Sequence, residues 1–321
     1  MSGRRSAASL TRSLVCVAVT TLMIWLAGAT SASASPRSEA QVAYDLPEAG
    51  VYLEGIGVDQ RAGYVYVSAT NRSGTIYRAR IGSPQLSVWV GPRDGDNGRG
   101  IAVDGAGRVY VAGGPTGEVR VFDRSGALLA ELATGATGSF LNDVWIGPDG
   151  AAYVTDSSLP ILWRVSTRGG AWRIDNWLDV SGSITYTPSL TDFDLGGIVS
   201  TPDRRYLLVA QGTTGALWRI DLRTKDVRQI AVDGDALVNA DGLALRGHTL
   251  VVVQNFSRKI TTLRLSDNWT SARVRGAIAT PANRTFTTAD FACGDLLVVD
   301  SQFGFAAPSA DDRVVRVALD D

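Results

Sequence analysis

The sequence predicts an all-β chain folded as a six-bladed β-propeller, with four antiparallel strands per blade and closure by pairing of the N-terminal and C-terminal strands. Three observations carry this expectation. One phrase, a small turn followed by two apolar strands, occurs six times: Glu54–Asp59 into Tyr64–Val67, Arg99–Asp104 into Val109–Ala112, and Asn142–Gly147 into Ala152–Thr155. It returns as Gly196–Thr201 into Tyr206–Val209, Asp241–Arg246 into Thr249–Val252, and Ala289–Gly294 into Leu296–Val299. The matched positions Gly55, Gly100, Asp143, Gly197, Gly242 and Asp290 are separated by 45, 43, 54, 45 and 48 residues, a spacing typical of propeller blades. Finally, no stretch of the repeats has helical periodicity.

Each repeat continues into a third strand: Thr75–Ala79, Glu118–Phe122, Ile161–Val165, Ala216–Ile220, Ile260–Leu265 and Arg313–Leu319. Fourth strands are less apolar, as outer strands are: Leu86–Val90, Leu128–Leu132 and Val227–Ala231. The last repeat stops after its third strand. Gln41–Leu46 is therefore expected to pair with 313–319 as the missing outer strand, removing an open sheet edge. Residues 169–191 and 302–311 interrupt the rhythm. Trp172, Trp177 and Tyr186 in the first of these either wall a pocket or, as favoured here, pack against their own blade.

Residues 1–34 read as a secretory signal peptide. Arg4, Arg5 and Arg12 precede the apolar run Leu14–Ala27, and Ala32-Ser33-Ala34 is a cleavage signal. That run is shorter than the ~20 residues needed to span a bilayer. The expectation is an exported, extracellular protein with one domain, 35–321, and no membrane association after cleavage. Of two cysteines, Cys16 leaves with the leader and Cys293 reads as a buried, inert thiol in a strand. The 31 basic and 32 acidic residues include three arginines in the leader and form no basic run, which excludes polyanion binding and hence nucleic acid as a partner.

A closed ring would bring the residue before each matched position to one channel mouth: Glu54, Arg99, Asn142, Gly196, Asp241 and Ala289. Carboxylate and carboxamide oxygens suit Ca²⁺, Mg²⁺ or Mn²⁺. Asn142 and Asp241 are equally ordinary turn residues. Glu54 has no turn preference and needs a partner when buried.

On Leu53-Glu54-Gly55, Leu141-Asn142-Asp143-Val144 with Pro148-Asp149-Gly150 and Thr155-Asp156, and Ala240-Asp241-Gly242-Leu243, the chain resembles a known group. It is similar to the senescence-marker-protein, gluconolactonase and luciferin-regenerating-enzyme propellers, and more distantly to paraoxonases and strictosidine synthases. The resemblance spans 42–319. It implies a divalent cation (Ca²⁺, Mn²⁺, Zn²⁺ or Mg²⁺) held by Glu54, Asn142 and Asp241, with Asn142 also available to substrate. The chain departs from the pattern at Gly196, where the group carries a ligand Asn; Asp192 and Asp194, just upstream but out of the group's register, are the alternative oxygen donors.

The only histidine, His248, lies in the hairpin turn Arg246-Gly-His-Thr and is expected to be structural, which excludes a His-dependent triad. A general base must then be a carboxylate, Asp241 or Glu54, or a metal-bound water. Arg99 and Asn142 would steady an oxyanion or a substrate carboxylate; alternatively Arg99 is the salt partner of Glu54. The leading expectation is a monomeric, metal-dependent lactone or ester hydrolase acting on a small molecule. A non-catalytic small-molecule or protein binder is the second, and a metal-free, strictosidine-synthase-like condensation enzyme the third.

Overall fold

The computed structural model describes residues 40–319 except 47, 49, 72, 188–192 and 306–311, with Arg168 described by its backbone alone. The expected signal peptide and Asp192 lie outside the described residues. Every element among them is a strand, 24 in all, arranged as four four-stranded sheets and one of eight strands. The eight-stranded sheet consists of two four-strand halves, joined where Val227–Asp233 pairs in parallel with Ser271–Ala279.

Six four-strand modules result, each running outward from an inner strand. The first is Leu53–Asp59, Tyr64–Ala69, Ile76–Arg80 and Ser87–Val90; the second is Ile101–Val103, Val109–Ala112, Glu118–Phe122 and Leu128–Ala133. The third is Leu141–Ile146, Ala152–Asp156, Ile161–Arg168 and Ala171–Asp179; the fourth is Leu195–Ser200, Tyr206–Gln211, Ala216–Asp221 and Val227–Asp233. The fifth is Ala240–Arg246, Thr249–Gln254, Lys259–Leu265 and Ser271–Ala279. The sixth takes Thr285–Ala292, Asp295–Ser301 and Arg313–Val317 from the C-terminal end and Gln41–Asp45 from the N-terminal end.

Burial explains the sequence pattern. Second strands are packed on both faces and are almost continuously apolar, Tyr206–Gln211 being buried throughout. Outer strands such as Ser271–Ala279 bury only alternate positions and so read as polar. The core lies between modules: Tyr110 and Val119 of the second, for example, pack with Val144, Val154 and Trp163 of the third. Inner strands touch in succession, and that of the sixth module touches that of the first.

That inner contact is very close. A Cβ on Gly197 would stand 2.6 Å from the backbone nitrogen of Leu243, and Cβ atoms on Gly55 and Gly242 would overlap the next inner strand in the same way. Two aspartates tie neighbouring inner strands together instead. Asp143 Oδ2 accepts from Ile198 N at 3.1 Å, and Asp290 Oδ2 accepts from Val58 N at 3.1 Å. The second of these spans the two ends of the chain.

The expected terminal pairing is present: Gln41–Asp45 runs antiparallel to Arg313–Val317, with Tyr44 and Leu46 buried. Asp312 Oδ2 also accepts from Leu53 N at 3.0 Å. Two expectations are corrected. Ala171–Asp179 is simply the fourth strand of the third module. Trp172 packs edge-on against Tyr110 and Trp177 against Tyr153, while Tyr186 donates to the Asp156 carbonyl at 2.8 Å, so all three pack the sheets and none walls the channel. Cys293 is exposed, in a tight turn at φ 48° between Thr285–Ala292 and Asp295–Ser301, because the repeat's sixth phrase ends two residues earlier than its apolar pattern suggests.

The closing strand generates a stability contrast. Tyr44→Ala, which empties a buried site, should lower the unfolding free energy by about 3 kcal/mol. Val42→Ala, two residues away across a register shift and half-exposed, should cost less than about 0.5 kcal/mol. Urea unfolding of the two variants measures the difference.

Candidate functional site

Five of the six inner strands carry a β-bulge, at Glu54-Gly55, Asn142-Asp143, Gly196-Gly197, Asp241-Gly242 and Thr287-Thr288. A bulge re-aims the first of its two residues out of the ladder, which is how side chains on separate strands come to face one space. The sixth-module bulge is a correction to the sequence alignment. Its counterpart to Glu54 is Thr287, and Ala289 lies further along the strand, outside the mouth.

Glu54, Arg99, Asn142, Gly196, Asp241 and Thr287 together line a cavity of about 80 Å³ at one end of the inner ring. Glu54 is buried, and no protein donor reaches its carboxylate among the described residues. Its backbone carbonyl is fixed by Thr287 Oγ1 at 2.8 Å. Asp241 Oδ2 accepts from Asn255 Nδ2 at 2.8 Å. Asn142 Nδ2 donates to Ser157 Oγ at 2.9 Å, which leaves the carbonyl oxygen as the group it offers the cavity. Gly196 offers no side-chain oxygen, and a Cβ there would stand 3.2 Å from the Asp241 carbonyl, so the neighbouring strand crowds the space a side chain would need. Asp194 does not substitute for one. It is buried against Gln211 Nε2 at 2.9 Å, Thr213 Oγ1 at 2.5 Å and Thr187 N at 2.7 Å.

Burial dominates the electrostatics. It pushes the Glu54 carboxyl well above its ordinary range, with the Asp241 charge adding to the rise and Arg99 opposing it. Asp241 is pushed up to about 6 by burial, against the Asn255 hydrogen bond and the Arg99 charge. Deeper in the channel, burial raises Asp143 and Asp290 to about 7 despite two backbone N–H donors each. Arg99 acts on Glu54 only at a distance, since no ion pair involves its guanidinium among the described residues. The salt-partner alternative for Arg99 is thereby set aside.

The mouth is collared by four phenylalanines that repeat analysis does not find: Phe140, Phe193, Phe256 and Phe303. Phe140 and Phe193 precede their inner strands, whereas Phe256 and Phe303 follow second strands. The Cζ of Arg99 lies over the rings of both Phe140 and Phe303, at 5.1 Å from each centroid. His248 is far from this arrangement, stacked on Trp269 with centroids 4.3 Å apart, consistent with a structural role. Among the described residues, no group of three or more His, Cys, Asp or Glu side chains is placed to hold a metal ion, so any cation here would rest on two carboxylates and an amide. No helix among the described residues is long and apolar enough to cross a membrane.

Comparison with known proteins agrees on the architecture. A β-propeller repeat model matches residues 76–113. No curated protein matches in sequence. Among solved structures, the chain is similar to regucalcin, a calcium-binding protein from Agrobacterium tumefaciens (14% identity, 88% of this chain and 94% of that one, TM-score 0.66). It is also similar to a gluconolactonase from Xanthomonas campestris (17% identity, 86% and 89%, TM-score 0.60). A third is virginiamycin B lyase from Staphylococcus aureus (16% identity, 81% and 80%, TM-score 0.58). At these identities the likeness establishes the propeller fold.

The raised carboxyls set a pH dependence. Their folded pKa values exceed those of the unfolded chain, so the stability they confer is complete below about pH 4 and is lost as pH rises through 6 to 7. Depressed carboxylates such as Asp221, held at about 2 first of all by its bond from Thr224 N, act below that window. Unfolding free energy measured in urea without added metal should therefore fall from pH 5 to pH 8. Asp241→Asn should flatten the fall and be the more stable protein at pH 8.

Proposed function

We propose that this chain is an exported, divalent-cation-dependent hydrolase of a small lactone or ester, working at one mouth of a closed six-bladed propeller. The observation that carries this reading is the pair of carboxylates facing one cavity, Glu54 buried and Asp241 half-buried, with no cationic side chain bonded to either among the described residues. Such a pair is unfavourable unless protonated or matched by positive charge. Glu54, Asp241 and the Asn142 carbonyl oxygen form a hard-oxygen set that fits Ca²⁺, Mg²⁺ or Mn²⁺, with the remaining positions left to water or substrate. A bound cation would supply Lewis acidity toward the substrate carbonyl.

The rest of the chemistry falls to this chain's own residues. Asn255 holds one Asp241 oxygen, fixing the plane of the carboxylate so that the other can take a proton from an attacking water. Thr287 pins the Glu54 backbone, and the phenylalanine collar limits access of bulk water. The exported state rests on residues 1–34 as a cleaved leader, with 35–321 as one domain that we take to be monomeric.

Gly196 favours a second reading, a secreted binder without turnover, because the position gives the cavity no fourth oxygen donor.

Purified residues 35–321 should open at least one member of a lactone and ester panel only when Ca²⁺, Mn²⁺, Zn²⁺ or Mg²⁺ is added. Asp241→Asn should lower kcat by at least about a hundredfold while keeping its circular dichroism. Turnover that persists in excess chelator removes the cation from the mechanism. A rise in Tm with cation but no turnover across the panel selects the binder.

A further inference from the structure

Among the described residues most side-chain donors around the mouth are already engaged, while Glu54, the second Asp241 oxygen and Asn142 Oδ1 are the acceptors given to the cation in the reading above. Asn142 Nδ2 donates to Ser157, Thr213 Oγ1 to Asp194, Asn239 Nδ2 to Ser257, Asn255 Nδ2 to Asp241 and Thr287 Oγ1 to the Glu54 carbonyl. A polyhydroxylated ligand needs many free donors and acceptors, and leaving its hydroxyls unmatched on entering the cavity is expensive. Arg99 is the contrast. Among the described residues its guanidinium has no hydrogen bond and no ion pair, and its Nε is buried without a partner.

The surroundings of Arg99 add geometry. The Cζ of Arg99 lies over two rings, Phe140 and Phe303, so the cation is held among aromatic side chains while its N–H groups keep no partner among the described residues. A guanidinium is a planar fork that matches a planar carboxylate through two parallel hydrogen bonds. Beside it stand further ring surfaces: Phe193 packs on Phe140 with centroids 4.8 Å apart, and Phe256, 51% exposed, lies 6.2 Å from Phe303. Half-exposed phenylalanines at the rim of a cavity are apolar area that a flat ligand would cover.

We propose that the mouth selects a flat, apolar ligand bearing a carboxylate, received by Arg99 and covered by the phenylalanine collar, so that the substrate class is an aromatic lactone or ester acid and not a sugar lactone. The lactone or ester part rests on the hydrolase reading above; the anion pocket stands on Arg99 and the collar alone. Charge is compatible with it. With a divalent cation on Glu54 and Asp241, Arg99 makes the mouth net positive.

Isothermal titration of the 35–321 protein with Ca²⁺ present tests it, using isocoumarin-3-carboxylate, neutral isocoumarin and glucono-δ-lactone as probes. The acid should bind most tightly. Arg99→Met, which keeps the apolar stem, should weaken the acid by about tenfold or more and leave isocoumarin within about twofold. Phe256→Ala, at an exposed site where folding is not at stake, should weaken both ring ligands. Tighter binding of glucono-δ-lactone than of the acid, or an acid affinity indifferent to Arg99→Met, overturns the proposal. Tight binding of the acid without hydrolysis upholds the pocket and removes the hydrolase; hydrolysis of glucono-δ-lactone with no affinity for the acid does the reverse.

Discussion

Everything in this fold depends on how closely consecutive inner strands approach. Their backbones meet with no room for a side chain at Gly55, Gly197 or Gly242; the third module carries Asp143 at that position, whose carboxylate reaches across to an amide of the next strand, and Asp290, two residues beyond the equivalent Thr288, makes a similar bridge in the sixth. Glycine and aspartate, interchangeable in the repeat as mere turn formers, are thus two answers to one packing problem. Bulges at the same level shift the preceding residue into the opening, so the packing of the ring and the composition of its mouth are fixed by adjacent residues.

The same closeness makes the channel electrostatically severe. Four carboxyls, Glu54, Asp143, Asp241 and Asp290, occupy a space from which water is largely excluded, and burial raises every one. They divide by bonding. Asp143 and Asp290 each spend both oxygens on backbone amides and serve the seams. Among the described residues Glu54 has no protein donor and Asp241 has one, so their unmet demand is directed at the cavity. Function concentrates where structure leaves charge uncompensated.

Repetition explains what the sequence made legible. Glu54, Arg99, Asn142, Gly196 and Asp241 share a repeat position, and the structure brings them to one cavity because a repeat position is a spatial address. The terminal strand pairing followed from counting strands in the last repeat. What failed was local. The sixth phrase was aligned on Ala289-Asp290, whose residue types fit, whereas the bulge falls at Thr287-Thr288, which no composition rule marks. Cys293 was placed in a strand by its apolar neighbours and lies instead in a positive-φ turn. The phenylalanine collar was invisible for a further reason: its members come from connections before first strands and after second strands, positions with no common place in the repeat.

One consequence of the shared sixth module concerns time. Its outer strand is Gln41–Asp45, among the first described residues of the chain, and the strand it pairs with, Arg313–Val317, is among the last. Contacts of such sequence separation carry the largest loop-closure entropy in the molecule and form late. During synthesis the early modules can stack in order, but Glu54 and Thr287 meet only when the circle shuts. The contact between first and sixth inner strands is therefore among the last to form, and a fragment ending before Thr285 would keep five modules and lose that side of the mouth.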